Sequence, residues 1–277
     1  MSILVTGSTG FLGSHILDSL AKRGKKVKVI ARKESSLKLK SWSNIEEIFL
    51  TENIFLESEK WMCAKLNGVD KIIHAAWYAE PGKYLTSELN LECLSGTLKL
   101  ASAASKMGVK KFVGIGTCAE YQNSDKPMSI NTPLEPKLLY SVSKAACFSV
   151  LSKYFENKET EFAWARIFYL YGEREDPRRF IPYLRSQLSK GKTAKLTNGD
   201  QIRDFINVAD AAKILVDIAY RDMDGVFNVC SGKPVSIRDL ALSIAKEYGA
   251  EDCLKFGARE PNLLDPPYVV GVPNFEI

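Results

Sequence analysis

Ile3-Leu4-Val5-Thr6-Gly7-Ser8-Thr9-Gly10-Phe11-Leu12-Gly13-Ser14-His15 is the stretch on which the reading of this chain turns. A short apolar run enters a glycine-rich turn. Ile16, Leu17 and Leu20 follow at the spacing of one helix face. Strand, tight turn and helix in that order place the first turn of a helix at the glycines. Its unpaired backbone N–H groups and the positive end of its dipole then face whatever lies over the turn. Glycine permits unusual backbone angles, and its missing side chain admits an anion to the main chain. A pyrophosphate is the natural ligand of such a turn, and a doubly wound α/β sheet is its natural setting. The spacing is G-x-x-G-x-x-G, not the general G-x-G-x-x-G, so the triplet alone also fits a helix cap without a ligand.

Working outward, Lys26 to Lys33 alternates like a strand and ends in basic residues. In dinucleotide-binding units the end of the second strand usually carries an acid that bonds the adenosine ribose, whereas an Arg there pairs with the extra phosphate of NADP. Ala31 holds the acid position here and Arg32 and Lys33 follow, which points to NADP, with NAD as the other possibility; a solvated loop charge is the plain alternative. Ile45 to Leu50 reads as a third strand and Asp70 to Ala76 as a fourth, with Ala75 and Ala76 small enough for a cofactor to lie close. His74, inside that strand end, is expected to be structural. Helical periodicity runs from Tyr84 to Met107 and stops at Gly108. Lys111 to Thr117 is the next strand, delivering Thr117, Cys118, Ala119, Glu120 and Tyr121 to its C-terminal end, the edge where open α/β sheets bind ligands. A helix from Tyr140 to Phe155 and a strand from Phe162 to Ile167 follow. Beyond Tyr169 the pattern weakens into proline-rich turns, short strands near 193–206 and 226–229, and helices near 208–221 and 236–248. The expected organisation is a Rossmann-type doubly wound parallel sheet over residues 1–168. A smaller substrate-binding lobe takes residues 169–277, interleaved with the sheet across a soft boundary.

At 277 residues the chain can bury a substantial core. Its net charge of +5 is spread without a basic run, which argues against nucleic acid as partner yet suits an anionic substrate. The six cysteines are scattered, with no C-x-x-C pair and no metal spacing, so free thiols in a reducing compartment are expected and no metal. Residues 1–2 leave no room for a leader, and no apolar run is long enough for a bilayer, so the expectation is a cytoplasmic protein without a membrane partner.

Tyr140 and Lys144 stand four apart, one turn along the same helix face. A tyrosine titrates near 10, too high for neutral acid–base work, and a neighbouring ammonium lowers that value. Lys144 is placed to do this and to hold a nicotinamide ribose. Thr117 offers a hydroxyl to a substrate carbonyl. The three together would let Tyr140 pass a proton to or from oxygen while nicotinamide moves a hydride.

With Asn90 and the run Gln201-Ile202-Arg203-Asp204-Phe205-Ile206-Asn207-Val208-Ala209-Asp210 added, these motifs resemble the extended short-chain dehydrogenase/reductases of the nucleotide-sugar branch, from residue 1 to about 240. The resemblance implies cofactor binding by Gly7, Thr9, Gly10, Phe11, Leu12, Gly13, Arg32, Ala75, Ala76, Tyr140 and Lys144. It implies a nucleotide-diphosphate sugar as substrate, with Arg203 on the diphosphate or else in an ion pair with Asp204 or Asp200. Glu120 would orient the sugar or cap a loop, and Tyr169 stands where many relatives have Asn. A homodimer through residues 84–107 and 138–157 is the family expectation. Thr117-Cys118-Ala119 replaces the Thr-Asp-Glu of the 4,6-dehydratases, and neither the Cys position nor the lobe His of the GDP-fucose type is present. The chain ends at Ile277, without the Leu-Gly-Trp-like segment that many relatives carry. Simple redox at a sugar carbon remains, similar to the reductases that make 6-deoxysugars from 4-keto precursors. A 4-epimerase with retained NAD and a non-enzymatic redox-sensing module are the alternatives.

Overall fold

The computed structural model describes residues 2–221, 223–262 and 265–275. β1 (Ile3–Thr6) leads through the glycine turn into α1 (Phe11–Lys22), followed by β2 (Val27–Arg32) and β3 (Ile45–Thr51). α2 (Glu59–Lys65) starts at Ser58, whose hydroxyl accepts the Trp61 N–H at 3.1 Å. β4 (Lys71–His74), α3 (Leu89–Lys106), β5 (Lys111–Thr117), α4 (Leu139–Phe155) and β6 (Glu161–Ile167) come next. The remainder is β7 (Tyr169–Tyr171), α5 (Phe180–Leu188), β8 (Ala194–Lys195), β9 (Ile202–Asn207), α6 (Val208–Tyr220), β10 (Gly225–Val229), β11 (Pro234–Ser236), α7 (Ile237–Tyr248), β12 (Leu254–Lys255) and β13 (Tyr268–Val269).

Seven strands form one parallel sheet in the order β10-β6-β5-β4-β1-β2-β3. Every residue of β1, β4 and β5 is buried, as expected for central parallel strands covered on both faces. On one face Ile16, Leu17 and Leu20 of α1 pack with Ala212, Leu215 and Ile218 of α6. On the other, Leu100 and Ala104 of α3 meet Cys147, Leu151 and Phe155 of α4. The chain runs from β1 outward to β3, then lays β4 against the opposite flank of β1. That reversal is the switch point at which such sheets open a crevice beyond their strand ends.

After β6 the chain leaves the sheet and returns to it. β9 gathers β7, β11 and β13 into a small sheet, while β10 closes the edge of the main sheet against β6. A separate apolar cluster joins Ile181 and Leu184 of α5 to Ala241 and Ile244 of α7. The carboxylate of Asp204, fully buried on β9, ties these pieces together. It accepts from the Ser231 N–H and hydroxyl at 2.8 and 2.6 Å, the Gly232 N–H at 2.8 Å and the Gly271 N–H at 3.1 Å.

Several elements differ from the sequence pattern, among them α2, α3, α5 and the short strands β7, β11, β12 and β13. α3 begins at Leu89, not Tyr84, because the Asn90 amide donates to Tyr84 O and Ser87 O at 2.7 and 2.8 Å and holds the approach as a turn. α5 replaces an expected turn. Its Pro182 lies in the first helical turn, where no backbone donor is required.

Asp204→Asn turns two of the carboxylate's acceptor positions into donors facing N–H groups. The variant is expected to unfold with roughly 2–4 kcal/mol less stability, read from denaturant midpoints at unchanged slope.

Candidate active site

The turn after β1 is built for close approach. Gly7 adopts φ +69°, and a Cβ there would lie 2.6 Å from Ala75 C and Ala76 N, the main chain just beyond β4. A Cβ on Gly13 would sit 2.1 Å from Gly7 O. Gly10 begins α1 and no side chain caps that helix, so its first N–H groups open outward. Leu12 packs against the core, while Phe11 meets the His15 ring edge-on at 6.0 Å. Thr9 donates to the Ser35 hydroxyl at 3.4 Å, behind the end of β2. Arg32 is exposed and pairs with Glu34 at 2.9 Å.

His74 is structural. Thr97 donates its hydroxyl proton to Cys93 O at 2.7 Å, so it accepts from His74 Nε2–H at 2.9 Å. His74 Nδ1 then accepts from the Thr6 hydroxyl at 2.7 Å, and the Thr6 oxygen accepts the Ala76 N–H at 3.2 Å. Burial pulls the imidazole down to about 3, so it stays neutral and serves to pin the Ala75-Ala76 strand end.

Across the crevice, β5 brings Thr117 and α4 brings Tyr140 and Lys144. The Thr117 hydroxyl lies beside the Tyr140 phenol. Tyr140 is half-buried, its N–H donates to Leu85 O at 3.0 Å, and the Tyr84 ring stands edge-on at 4.8 Å. One expectation is corrected here: Lys144 does not lower the Tyr140 pKa. Burial of the phenol, with Tyr84 beside it, pushes that pKa above the usual tyrosine range. The Lys144 ammonium instead donates to Ile115 O at 2.7 Å and lies 3.7 Å from the Trp77 ring centroid. Burial pulls Lys144 down to about 8. Cys118, next to Thr117, is pushed up to about 12 by burial and stays a thiol.

Of the two readings of Glu120, the structure shows the loop cap. The residue is fully buried and does not face the crevice. Its carboxylate accepts the Thr117 N–H at 2.8 Å, the Trp164 Nε1–H at 3.1 Å and the Arg166 Nε–H at 2.7 Å. It is therefore the cap of the turn that carries Thr117, completed below by Arg166. Gly114 and Gly116 in β5 make room for that Trp164 ring, which a Cβ would meet at 2.5 and 2.3 Å.

Tyr169 and Arg203 come together across β7 and β9, with the guanidinium 5.3 Å from the Tyr169 ring centroid. Arg203 is buried and pairs with Asp265 at 2.7 Å, not with Asp204 or Asp200. The sequence reading missed Trp77, Tyr84 and Asp265. Trp77 follows the Ala-Ala strand end directly, but only the fold shows that it reaches Lys144. Among the described residues no group of His, Cys, Asp and Glu could hold a metal ion, the cysteines are free, and no helix is long and apolar enough to cross a membrane.

An uncapped glycine turn at a switch point, faced by a pinned strand end and a Thr-Tyr-Lys cluster, defines a doubly wound α/β protein of the dinucleotide-binding class. Residues 3–230 match the NAD dependent epimerase/dehydratase family, and the chain belongs to it. Its relatives are nucleotide-sugar enzymes. It is 26% identical to the dTDP-6-deoxy-L-talose 4-dehydrogenase (NAD(+)) of Aggregatibacter actinomycetemcomitans, over 92% of each chain. It is 29% identical to the CDP-abequose synthase of Salmonella typhimurium, over 93% of this chain and 85% of that one. The solved UDP-N-acetylglucosamine 4-epimerase of Methanobrevibacter ruminantium superposes with a TM-score of 0.83 at 25% identity, covering 98% of this chain and 89% of the other.

Two outcomes follow. Gly7→Ala forces a side chain into the Ala75–Ala76 main chain from a positive φ, and is expected to abolish NADH binding followed by fluorescence titration. Burial holds the Lys144 pKa at about 8 in the native state, against the 10.5 of an ordinary lysine. Between those values the unfolded chain holds a proton that the native state has released, so stability rises with pH through that window and the cost of burial is full below it. Lys144→Met is therefore expected to melt at or above the wild-type temperature at pH 7, with the advantage shrinking towards pH 10.

Proposed function

We propose that this chain reduces the C4 carbonyl of a nucleotide-activated 4-keto-6-deoxysugar with NADPH. The observation that carries this reading is that Thr117 at the end of β5 and Tyr140 and Lys144 on α4 accompany a turn whose glycines leave the main chain open. The cradle fits a dinucleotide: Gly7, Thr9, Gly10, Phe11, Leu12 and Gly13 hold the pyrophosphate, Ala75 and Ala76 let the cofactor lie flat, and Lys144 and Tyr140 face its ribose. Bound there, the nicotinamide supplies the hydride. Thr117 polarises the carbonyl oxygen. Tyr140, kept protonated by its surroundings, donates the proton that the oxygen needs once the carbon is reduced. Lys144 serves the ribose and the charge balance of the pair, not the acidity of the phenol. Cys118 and Ala119 supply no acid for water elimination, which argues against a dehydratase.

Arg32 supports NADPH, since its exposed pair with Glu34 is weak enough to give way to a phosphate. Arg203 takes the diphosphate, exchanging the Asp265 carboxylate for it, and Tyr169 shapes that end of the pocket. Residues 1–168 are read as the cofactor half and 169–277 as the substrate lobe. Exposed Leu91 on α3 and Val142 and Val150 on α4 support a homodimer through those helices, and free thiols suit the cytoplasm. The second reading is a 4-epimerase that retains NAD, favoured by the likeness to the solved 4-epimerase and by the cofactor in the first relative's name.

The test is NADPH consumption, with NADH alongside, against CDP-, dTDP- and GDP-linked 4-keto-6-deoxysugars. Turnover that falls by roughly 100-fold or more in Tyr140→Phe is the expected result. Purified protein carrying NAD, with sugar interconversion and no net cofactor consumption, establishes the epimerase instead.

A further inference from the structure

Thr117, Tyr140 and Lys144 leave one neighbour without a role. Trp77 lies in the loop between β4 and α3 and is half-buried. Its indole N–H donates to Asn90 Oδ1 at 2.8 Å, and Asn90 is fully buried with its amide spent on Tyr84 O and Ser87 O. The indole therefore has a fixed orientation. Its face lies 3.7 Å from the Lys144 ammonium, and its edge meets the Tyr140 ring at 6.5 Å with the planes near 80°. Phe55 stands edge-on to the indole at 6.4 Å.

We propose that Trp77 is a positioning residue, whose anchored indole face holds the Lys144 ammonium charged and aimed at the crevice. The inference rests on the cofactor-binding role given to Lys144 above. The ammonium has one carbonyl partner, Ile115 O, and is otherwise almost out of water. An indole face offers a cation its strongest π-attraction among side chains, and more so where water is excluded. The groups that face Lys144 from other elements are Glu120 after β5, Cys93 on α3 and His74 on β4, with Cys147 on its own helix. Ile115 O and the more distant Glu120, itself engaged by Arg166, also favour the charged form, and the two thiols are held protonated by burial, so the indole face is the contact beside the ammonium that adds to them. The depressed Lys144 pKa of about 8 marks how finely that balance sits at physiological pH.

The test separates the π face from the hydrogen bond. Trp77→Phe keeps a ring over Lys144 and loses the donor to Asn90; Trp77→Leu loses both. NADPH and NADH dissociation constants are measured from pH 6.5 to 9.5 without substrate, beside thermal melts. The Leu variant is expected to lose cofactor affinity about one pH unit earlier on the alkaline side than wild type. The Phe variant is expected to melt lower than wild type and yet keep most of the alkaline limb. An alkaline limb in Trp77→Leu that coincides with wild type, with only the melting temperature changed, overturns the proposal. Because these titrations need no sugar, an absence of ketoreductase turnover leaves the result readable and bears only on the proposed reaction.

Discussion

Main chain meets main chain where the turn after β1 passes the end of β4, and the site depends on that contact. No side chain of any size fits between Gly7 and the Ala75–Ala76 peptide, and Gly13 is equally pressed against Gly7. The turn is thereby fixed by sterics, and α1 is delivered with its N–H groups facing the crevice. The Thr6–His74–Thr97 chain of hydrogen bonds fixes the other wall of the same contact. A neutral imidazole suits this role because it can accept at one nitrogen and donate at the other.

The side of the crevice that carries Thr117 is held by a different kind of force. Beneath Thr117 lies a buried ion pair, Glu120 with Arg166, whose spare bonding capacity goes to the Thr117 N–H, the Trp164 indole and the Tyr121 hydroxyl. Burial raises the Glu120 carboxyl, and the guanidinium opposes that shift. Such a pair contributes little net stability, but each member left alone is costly, so the arrangement tends to be all or nothing. It fixes the direction in which Thr117 points.

The central sheet was largely legible in the sequence because its inner strands are apolar runs, and those toward the edge alternate, between glycine-marked turns. β5 spans Lys111–Thr117 as the pattern predicts, and α6 and α7 lie within a residue of theirs. α3 was read too long because periodicity does not register a side-chain amide that competes for backbone carbonyls. The site was legible as a set of residue types and not as a set of contacts. Spacing put Tyr140 and Lys144 on one face, yet the carbonyl of Ile115 and the indole of Trp77 decide where the lysine points. Glu120 and Arg203 show the same limit. Both are charged residues in family motifs, and only the fold shows that one is buried against Arg166 and the other is buried against Asp265.

The strand order also bears on how the protein is made. β6 has β5 on one side, and its other side is closed by β10, which is synthesised only after β7, α5, β9 and α6. A chain emerging from the ribosome thus carries a nearly complete parallel sheet with one open, apolar edge while the intervening residues are translated. Long-range parallel pairing is slow to form, and an unpaired edge is a template for other strands. The small sheet around β9 must therefore form without capturing that edge before β10 arrives, and this interval is where the nascent protein is most exposed to misassembly and to chaperones.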